Sequence, residues 1–242
     1  MKLKLFFVCL LFTCFGTSFS QGLYWSLNTG ANFGRTTWGS FQDYSEAYNY
    51  QNYDLLKSRL SPMKWTRGYN FGASFIATND SEKGIYIELE NESKFASTSA
   101  EFIDPALGTR HYKVRYSSNI ITIGMASSID GKLVILGGYF LGANNIFLES
   151  YKEYGDGQIS YGMENGTNAK YRMKRFTTGF NFGVDYIVNR FLVFNVGLKL
   201  GATLFGAQDI EIPMADGPFP FNSVTRSGVL SVGIKFTPVN TY

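Results

Sequence analysis

The sequence predicts an all-β fold: an eight-stranded antiparallel up-and-down transmembrane β-barrel. Three observations predict it. The 242 residues are 17 % aromatic and contain 26 Gly, yet only 17 % are charged, against about 25 % in ordinary soluble domains. Apolar residues recur with period two, the signature of strands with one apolar face. The connections between these runs alternate between short and long, as they do when turns lie at one end of a barrel and loops at the other. The same composition excludes other classes. Bulk disorder is inconsistent with so many aromatics. The formal net charge of +3 lacks the basic excess that a nucleic-acid binder needs.

The chain opens on a targeting segment. Lys2 and Lys4 precede the apolar run Leu5–Phe12, and Ser18 and Ser20 supply small residues before a cleavage point at Ser20–Gln21. That is a basic region, an apolar region and a small-residue site, with an apolar run too short for a membrane helix. Residues 1–20 are expected to be a signal peptide and 21–242 the mature barrel domain. Both cysteines, Cys9 and Cys14, leave with the peptide. The mature domain is then expected to have no disulfide and no thiolate chemistry. Loss of Lys2 and Lys4 leaves 20 basic residues facing 19 acidic ones.

The strands follow in order at about 23–34, 66–77, 84–95, 111–127, 132–143, 174–187, 191–203 and 225–236. In the first, Leu23, Trp25, Leu27, Thr29, Ala31 and Phe33 alternate with Gly and Asn. Tyr69, Phe71, Ala73 and Phe75 carry the second, and Ile85, Ile87 and Leu89 the third. The fourth and fifth are less regular. Ile120–Ile121 and Leu133–Leu136 break strict alternation, and a β-bulge is the expected cause. The sixth is the clearest: Phe176, Thr178, Phe180, Phe182, Val184 and Tyr186 oppose Arg175, Thr177, Gly179, Asn181, Gly183 and Asp185. Leu192–Leu200 and Leu230–Phe236 complete the set in the same manner. Short turns are expected at 79–83, 128–132 and 188–190. Long loops, taken as extracellular, are expected at 35–65, 96–110, 144–173 and 204–224.

Each feature of the composition then has a place. Tyr24, Trp25 and Tyr186 at the turn end, and Trp65, Tyr69 and Phe176 at the loop end, suit two membrane interfaces. Gly30, Gly68, Gly72, Gly179, Gly183, Gly197 and Gly201 fall on the inward face, where a narrow barrel has little room. They are expected to make space for charged neighbours. The inward ionisable set is read as Glu88, Glu90, Glu92, Lys113, Arg115, Arg175, Asp185, Lys199 and Lys235. A salt network filling the interior is expected, because buried charge demands pairing.

Catalytic chemistry finds little support in the residues. His111 is the single histidine, so neither a metal cluster nor more than one triad could be built. Ser97, Ser99 and Asp104 are near it in sequence, as ordinary loop residues would be. The Gly residues recur inside strands and form no phosphate-binding loop. No catalytic, cofactor-binding or metal residue is named, no cofactor is implied, and the protein is expected not to be an enzyme. The loops are Tyr-rich: Tyr44, Tyr48, Tyr50 and Tyr53 in the first, with a short amphipathic helix expected within 44–60, and Tyr151, Tyr154, Tyr161 and Tyr171 in the third. They could meet partners or pack on one another over the barrel mouth.

Ser20–Gln21, the Gly-rich opening strand Leu23–Gly34 and the closing strand Val229–Phe236 together carry a resemblance. Over 21–242 the chain resembles the small outer-membrane β-barrel proteins of Bacteroidetes, the PorT-like or outer-membrane-protein β-barrel domain family. The resemblance implies an integral outer-membrane location, no enzymatic motif, and, as in some members, service as an accessory barrel in secretion machinery. The expected partners are outer-membrane lipid and other cell-envelope proteins, met through the long loops or the barrel wall, with no nucleic acid. A small ion or solute channel is the alternative function, and a soluble periplasmic ligand-binding barrel a further one.

Overall fold

The computed structural model describes residues 23–37, 39–78, 83–129, 131–161, 170–189, 191–204, 211–214, 217–220 and 225–237. The expected signal peptide, 1–20, lies outside them. The elements in chain order are β1 (Leu23–Thr37), α1 (Gly39–Gln51), β2 (Leu56–Ser58), β3 (Trp65–Thr78), β4 (Lys83–Phe102), a 3₁₀ turn (Pro105–Leu107), β5 (Thr109–Ile129), β6 (Leu133–Glu153), β7 (Ile159–Tyr161), β8 (Lys170–Asn189), β9 (Leu192–Leu204), β10 (Glu211–Met214), β11 (Gly217–Pro220) and β12 (Thr225–Phe236).

Ten of the strands form one large antiparallel sheet, with β10 and β11 as a separate hairpin. The long strands pair in the order β1–β3–β4–β5–β6–β8–β9–β12, and β12 pairs with β1 again. The path from Leu27 runs through Ala73, Leu89, Ile121, Leu141, Thr178, Ala202 and Arg226, and arrives back on β1 at Thr37, ten residues further along. That stagger, at about 3.3 Å per residue and about 4.8 Å between strands, corresponds to a tilt of about 40°, within the range for β-barrels.

The wall is apolar outside and polar inside. Leu27, Phe71, Met125, Phe180, Phe194 and Val232 are exposed on the outer face, whereas Asn28, Glu88, Glu90, Thr122, Asn181, Asp185, Lys199 and Lys235 are buried on the inner one. A soluble ligand-binding barrel has the opposite polarity, with its apolar face inward. Period two set these faces before any pairing formed, because consecutive Cβ atoms leave opposite sides of a strand.

Four expectations need correction. First, no bulge occurs at Ile120–Ile121 or Leu133–Leu136, since β5 and β6 pair without a register shift from Thr109↔Glu153 to Ile129↔Leu133. The alternation broke because Ile120 and Leu136 are apolar residues on the inner face, not because the phase changed. Second, the loops expected at 96–110 and 144–173 are largely strand. β4, β5 and β6 continue to Phe102, from Thr109, and to Glu153. The two sequence faces here exchange polarity, so the apolar-outside signal ends while the backbone ladder goes on. β2 and β7 pair with the freed flanks of β4 and β6 beyond the ends of β3 and β8. Third, the helix expected within 44–60 spans 39–51. It stops where the Asn52 side chain donates to the Tyr48 carbonyl and the Leu55 and Leu56 amides turn back onto the Asn52 carbonyl. Fourth, the segment expected as a loop at 204–224 contains the β10–β11 hairpin.

The inward glycines make room chiefly for backbone and for rings. A Cβ on Gly124 would lie 2.5 Å from the Gly138 Cα and 2.5 Å from Tyr86 Cε1. One on Gly201 would lie 2.5 Å from Phe140 Cζ. Gly124→Ala is therefore expected to destabilise the barrel by about 1–3 kcal/mol through overpacking. Gly137→Ala, where a Cβ meets nothing within 4 Å, should be near neutral. Urea unfolding in detergent micelles, followed by the heat-modifiable band shift, checks both.

Candidate functional site

Two regions concentrate chemistry: the barrel interior, and the raised wall formed where β4, β5 and β6 outgrow their neighbours. In the interior, Glu88, Glu90 and Glu92 stand at successive inward positions of β4. Each accepts from an inward asparagine: Glu88 from Asn28 at 2.5 Å and from Asn181 at 3.3 Å, Glu90 from Asn70 at 2.8 Å, Glu92 from Asn32 at 3.0 Å. Lys199, from β9 across the barrel, is ion-paired with Glu90 and lies 3.9 Å from Glu92. Lys94 closes on Glu92 at 2.8 Å. Lys235 and Asp185 form a second pair at 2.8 Å, and Asn195 donates to the same aspartate. The Glu ladder is thus matched by cations from its own strand and from the facing side, the arrangement that makes buried charge tolerable.

Of the residues expected inside, Glu88, Glu90, Glu92, Arg175, Asp185, Lys199 and Lys235 are buried there. Lys113 and Arg115 are not. They occupy odd positions of β5, whose inward residues are even-numbered, and they lie exposed on the outside of the raised wall. The Arg115 guanidinium sits 5.7 Å from the Phe95 ring and the Lys113 ammonium 4.7 Å from the Tyr151 ring. The sequence sets the asparagines on the face opposite the apolar one; the inward charged residues that sequence reading missed are Lys94 and Arg110. Their parity marked them: Lys94 shares its face with Glu88, Glu90 and Glu92.

An apolar cluster borders this polar interior at each end. At the turn end, Tyr86, Ala126 and Leu136 pack together with Ile76 and Val134. At the other end, the inner face of the raised wall turns apolar through Ala100, Phe102, Tyr112, Val114, Tyr116, Ile146 and Leu148. The first connection folds onto it, contributing Phe41, Tyr44 and Tyr48 of α1 with Leu56, Leu60 and Met63. Tyr112 is the centre of this cap. Its ring meets Phe41, Tyr44 and Tyr48 edge-on at 6.0, 5.6 and 6.3 Å, and its hydroxyl is hydrogen-bonded to that of Tyr44. Tyr44 and Tyr48 are thereby spent on the barrel's own mouth, while Tyr50 and Tyr53 stay exposed. Between the network and the cap, a cavity bordered by Glu92, Lys94, Tyr116, Asn144 and Lys199 amounts to about 20 Å³, room for about one water molecule.

His111 lies on the outer face of the raised wall. Its ring stacks on Tyr151 at 4.7 Å, and its Nε2 is 3.3 Å from a Glu153 carboxylate oxygen. Burial holds the imidazole below its usual range, the Lys113 charge adds to that, and Glu153 opposes it. Ser99 is the cross-strand partner of His111, and Ser97 pairs with Lys113. Asp104 is spent capping the 3₁₀ turn by accepting from the Ala106 amide at 2.9 Å. Among the described residues, no group of three His, Cys, Asp or Glu is arranged to hold a metal ion.

No protein-family model matches the chain, and no curated protein does. Solved structures do. The attachment invasion locus protein Ail of Yersinia pestis, in complex with the heparin analogue sucrose octasulfate, is 12 % identical with a TM-score of 0.45, over 90 % of this chain and 99 % of that one. The outer membrane protease OmpT of Escherichia coli is 7 % identical with a TM-score of 0.44, over 91 % and 98 %. Neisserial surface protein A is 12 % identical with a TM-score of 0.36, over 89 % and 99 %. Independently of these likenesses, the geometry decides where the protein resides. Strands cross a bilayer only when every backbone group is paired around a barrel, and such walls are apolar outward and polar inward. With its ladder returning to β1 and its apolar face exposed, this is an integral outer-membrane β-barrel.

Proposed function

We propose that the protein is a non-catalytic, eight-stranded up-and-down barrel, matured at residue 21 by loss of the signal peptide. It acts as a structural or accessory subunit of a cell-envelope complex, with the raised wall on the extracellular side. The observation that carries this reading is the blocked interior: a paired-charge network, an apolar floor, and a cap built by the protein's own first connection. A barrel so filled has its working surfaces on the outside. Those are the raised wall and the Tyr50–Tyr53 edge of the cap, where Tyr50 is 85 % exposed. The narrower kinship with the PorT-like barrels of Bacteroidetes, and with their secretion-associated member PorG, belongs to this proposal and rests on the opening and closing strands.

Two measurements test it. The intact protein in a planar bilayer is expected to give no conductance steps, and a stable ohmic conductance would favour the channel alternative. Purification in mild detergents, with mass spectrometry of what accompanies the barrel, is expected to return a reproducible envelope partner. Tyr50→Ala/Tyr53→Ala should weaken that association by about tenfold, the loss of two aromatic contacts at an interface. A barrel that remains solitary under several mild conditions would count against the accessory role.

A further inference from the structure

Two grooves lie one above the other on the outer wall. The lower, about 650 Å³, is lined by Phe71, Leu89, Ile121, Leu141 and Phe176, with the Asn91–Asn119 pair, hydrogen-bonded at 2.9 Å, as its polar feature. The upper, about 800 Å³, is lined by Trp65, Arg67, Phe95, Lys113, Arg115 and Phe147, with Glu149 as its acidic residue. On β3, β4, β5 and β6 alike, the upper groove sits six residues nearer the raised end: 65–67 against 71–73, 95–97 against 89–91, 113–115 against 119–121, 147–149 against 141–143. At about 3.3 Å per residue and a tilt of about 40°, six residues raise it by about 15 Å. That is about half the thickness of a bilayer's hydrocarbon core.

We propose that the two grooves together bind one anionic, phosphate-bearing lipid of the surrounding leaflet. Its acyl chains lie in the lower groove and its headgroup in the upper. Charge complementarity selects this occupant. Arg67, Lys113 and Arg115 line the same groove as a single acidic residue, Glu149, at the level where the apolar wall gives way. Arginine recognises phosphate by paired hydrogen bonds. The aromatic rims, with Trp65 73 % exposed, suit the bilayer interface, where an amphipathic ring has one wet and one apolar side. A short alkyl groove beneath a basic, aromatic one is the negative image of an anionic lipid. The site is independent of which protein, if any, meets the cap.

The test uses the full mature chain refolded in micelles, with Trp25, Trp38 and Trp65 changed to Phe and with Phe71→Trp, so that one indole reports from the lower groove. Brominated-chain phosphatidylglycerol or brominated-chain phosphatidylcholine is titrated in. That indole is expected to be quenched at much lower mole fractions of phosphatidylglycerol. Arg67→Gln/Arg115→Gln should lose about tenfold to thirtyfold of that preference, the worth of two basic groups beside anionic lipid. Arg67→Lys/Arg115→Lys, which keeps the charge and loses the paired hydrogen bonds, should keep part of it, which separates lost charge from lost fold. Lys174→Gln/Arg226→Gln, outside the grooves, should leave it unchanged. Equal quenching by both lipids, or an equal loss in the Lys174/Arg226 variant, would overturn the site in favour of a diffuse basic girdle. Absence of quenching by either lipid would overturn it in favour of a protein occupant.

Discussion

Lys199→Met is expected to destabilise the barrel by about 3–5 kcal/mol, the typical effect of removing one member of a buried ion pair. Lys199 comes from β9 to reach Glu90 and Glu92 on β4, so its removal leaves two neighbouring carboxylates of one strand inside the barrel with one cation fewer. Lys94 still neutralises Glu92, which makes Glu90 the orphan. Glu90→Gln/Lys199→Met should therefore recover most of the loss, because a neutral amide next to an alkyl chain carries no uncompensated charge. A double-mutant cycle by urea unfolding in micelles measures the coupling. If the single variant unfolds at the wild-type urea concentration, the network is not what holds the interior, and the blocked-lumen reading weakens with it.

Tyr112→Ala is expected to release the cap while leaving the barrel folded. The ring is almost wholly buried and touches Phe41, Tyr44 and Tyr48, the three buried aromatic residues of α1. Removing a buried aromatic side chain costs about 3–5 kcal/mol, more than a 13-residue helix supplies from its own hydrogen bonds in water. The segment from 39 to 55 should become protease-sensitive and exchange its amides rapidly. The heat-modifiable band of the barrel should persist. If conductance is then recorded, it should stay low, because the Glu90–Lys199 network lies below the cap and is unaffected. Loss of the folded band together with the cap would show that the two are one cooperative unit.

The strand segments at the apolar wall were legible because lipid on one side and a crowded polar interior on the other force strict alternation. Phe176–Tyr186 reads as a strand from eleven letters for that reason. The extensions of β4, β5 and β6 were illegible by the same rule. Past the bilayer the outside becomes polar, as at Lys113 and Arg115, and the inside becomes apolar, as at Tyr112 and Val114. The pattern that defines a membrane strand disappears there although the strand does not. Parity carried through the change would have placed Lys113 and Arg115 outside and Lys94 inside. Ile120 and Leu136 obscured it by being apolar residues that face inward. The interior salt network was legible as a set of charges, but not as a set of pairs. Lys199 and Glu90 are 109 residues apart in sequence.

The sequence by itself determined which side of the regularly alternating membrane strands meets lipid, since period two sorts side chains before any partner strand arrives. It also determined that the interior would hold opposite charges in near balance. Only the tertiary structure decided that the barrel's mouth is stopped by its own first connection. It decided too that the wall rises on one side, and that two grooves align on that wall. Those features depend on the ten-residue stagger of the ladder, which brings positions from β1 through β8 to common heights. A stagger belongs to the pairing between strands and is written in no one of them.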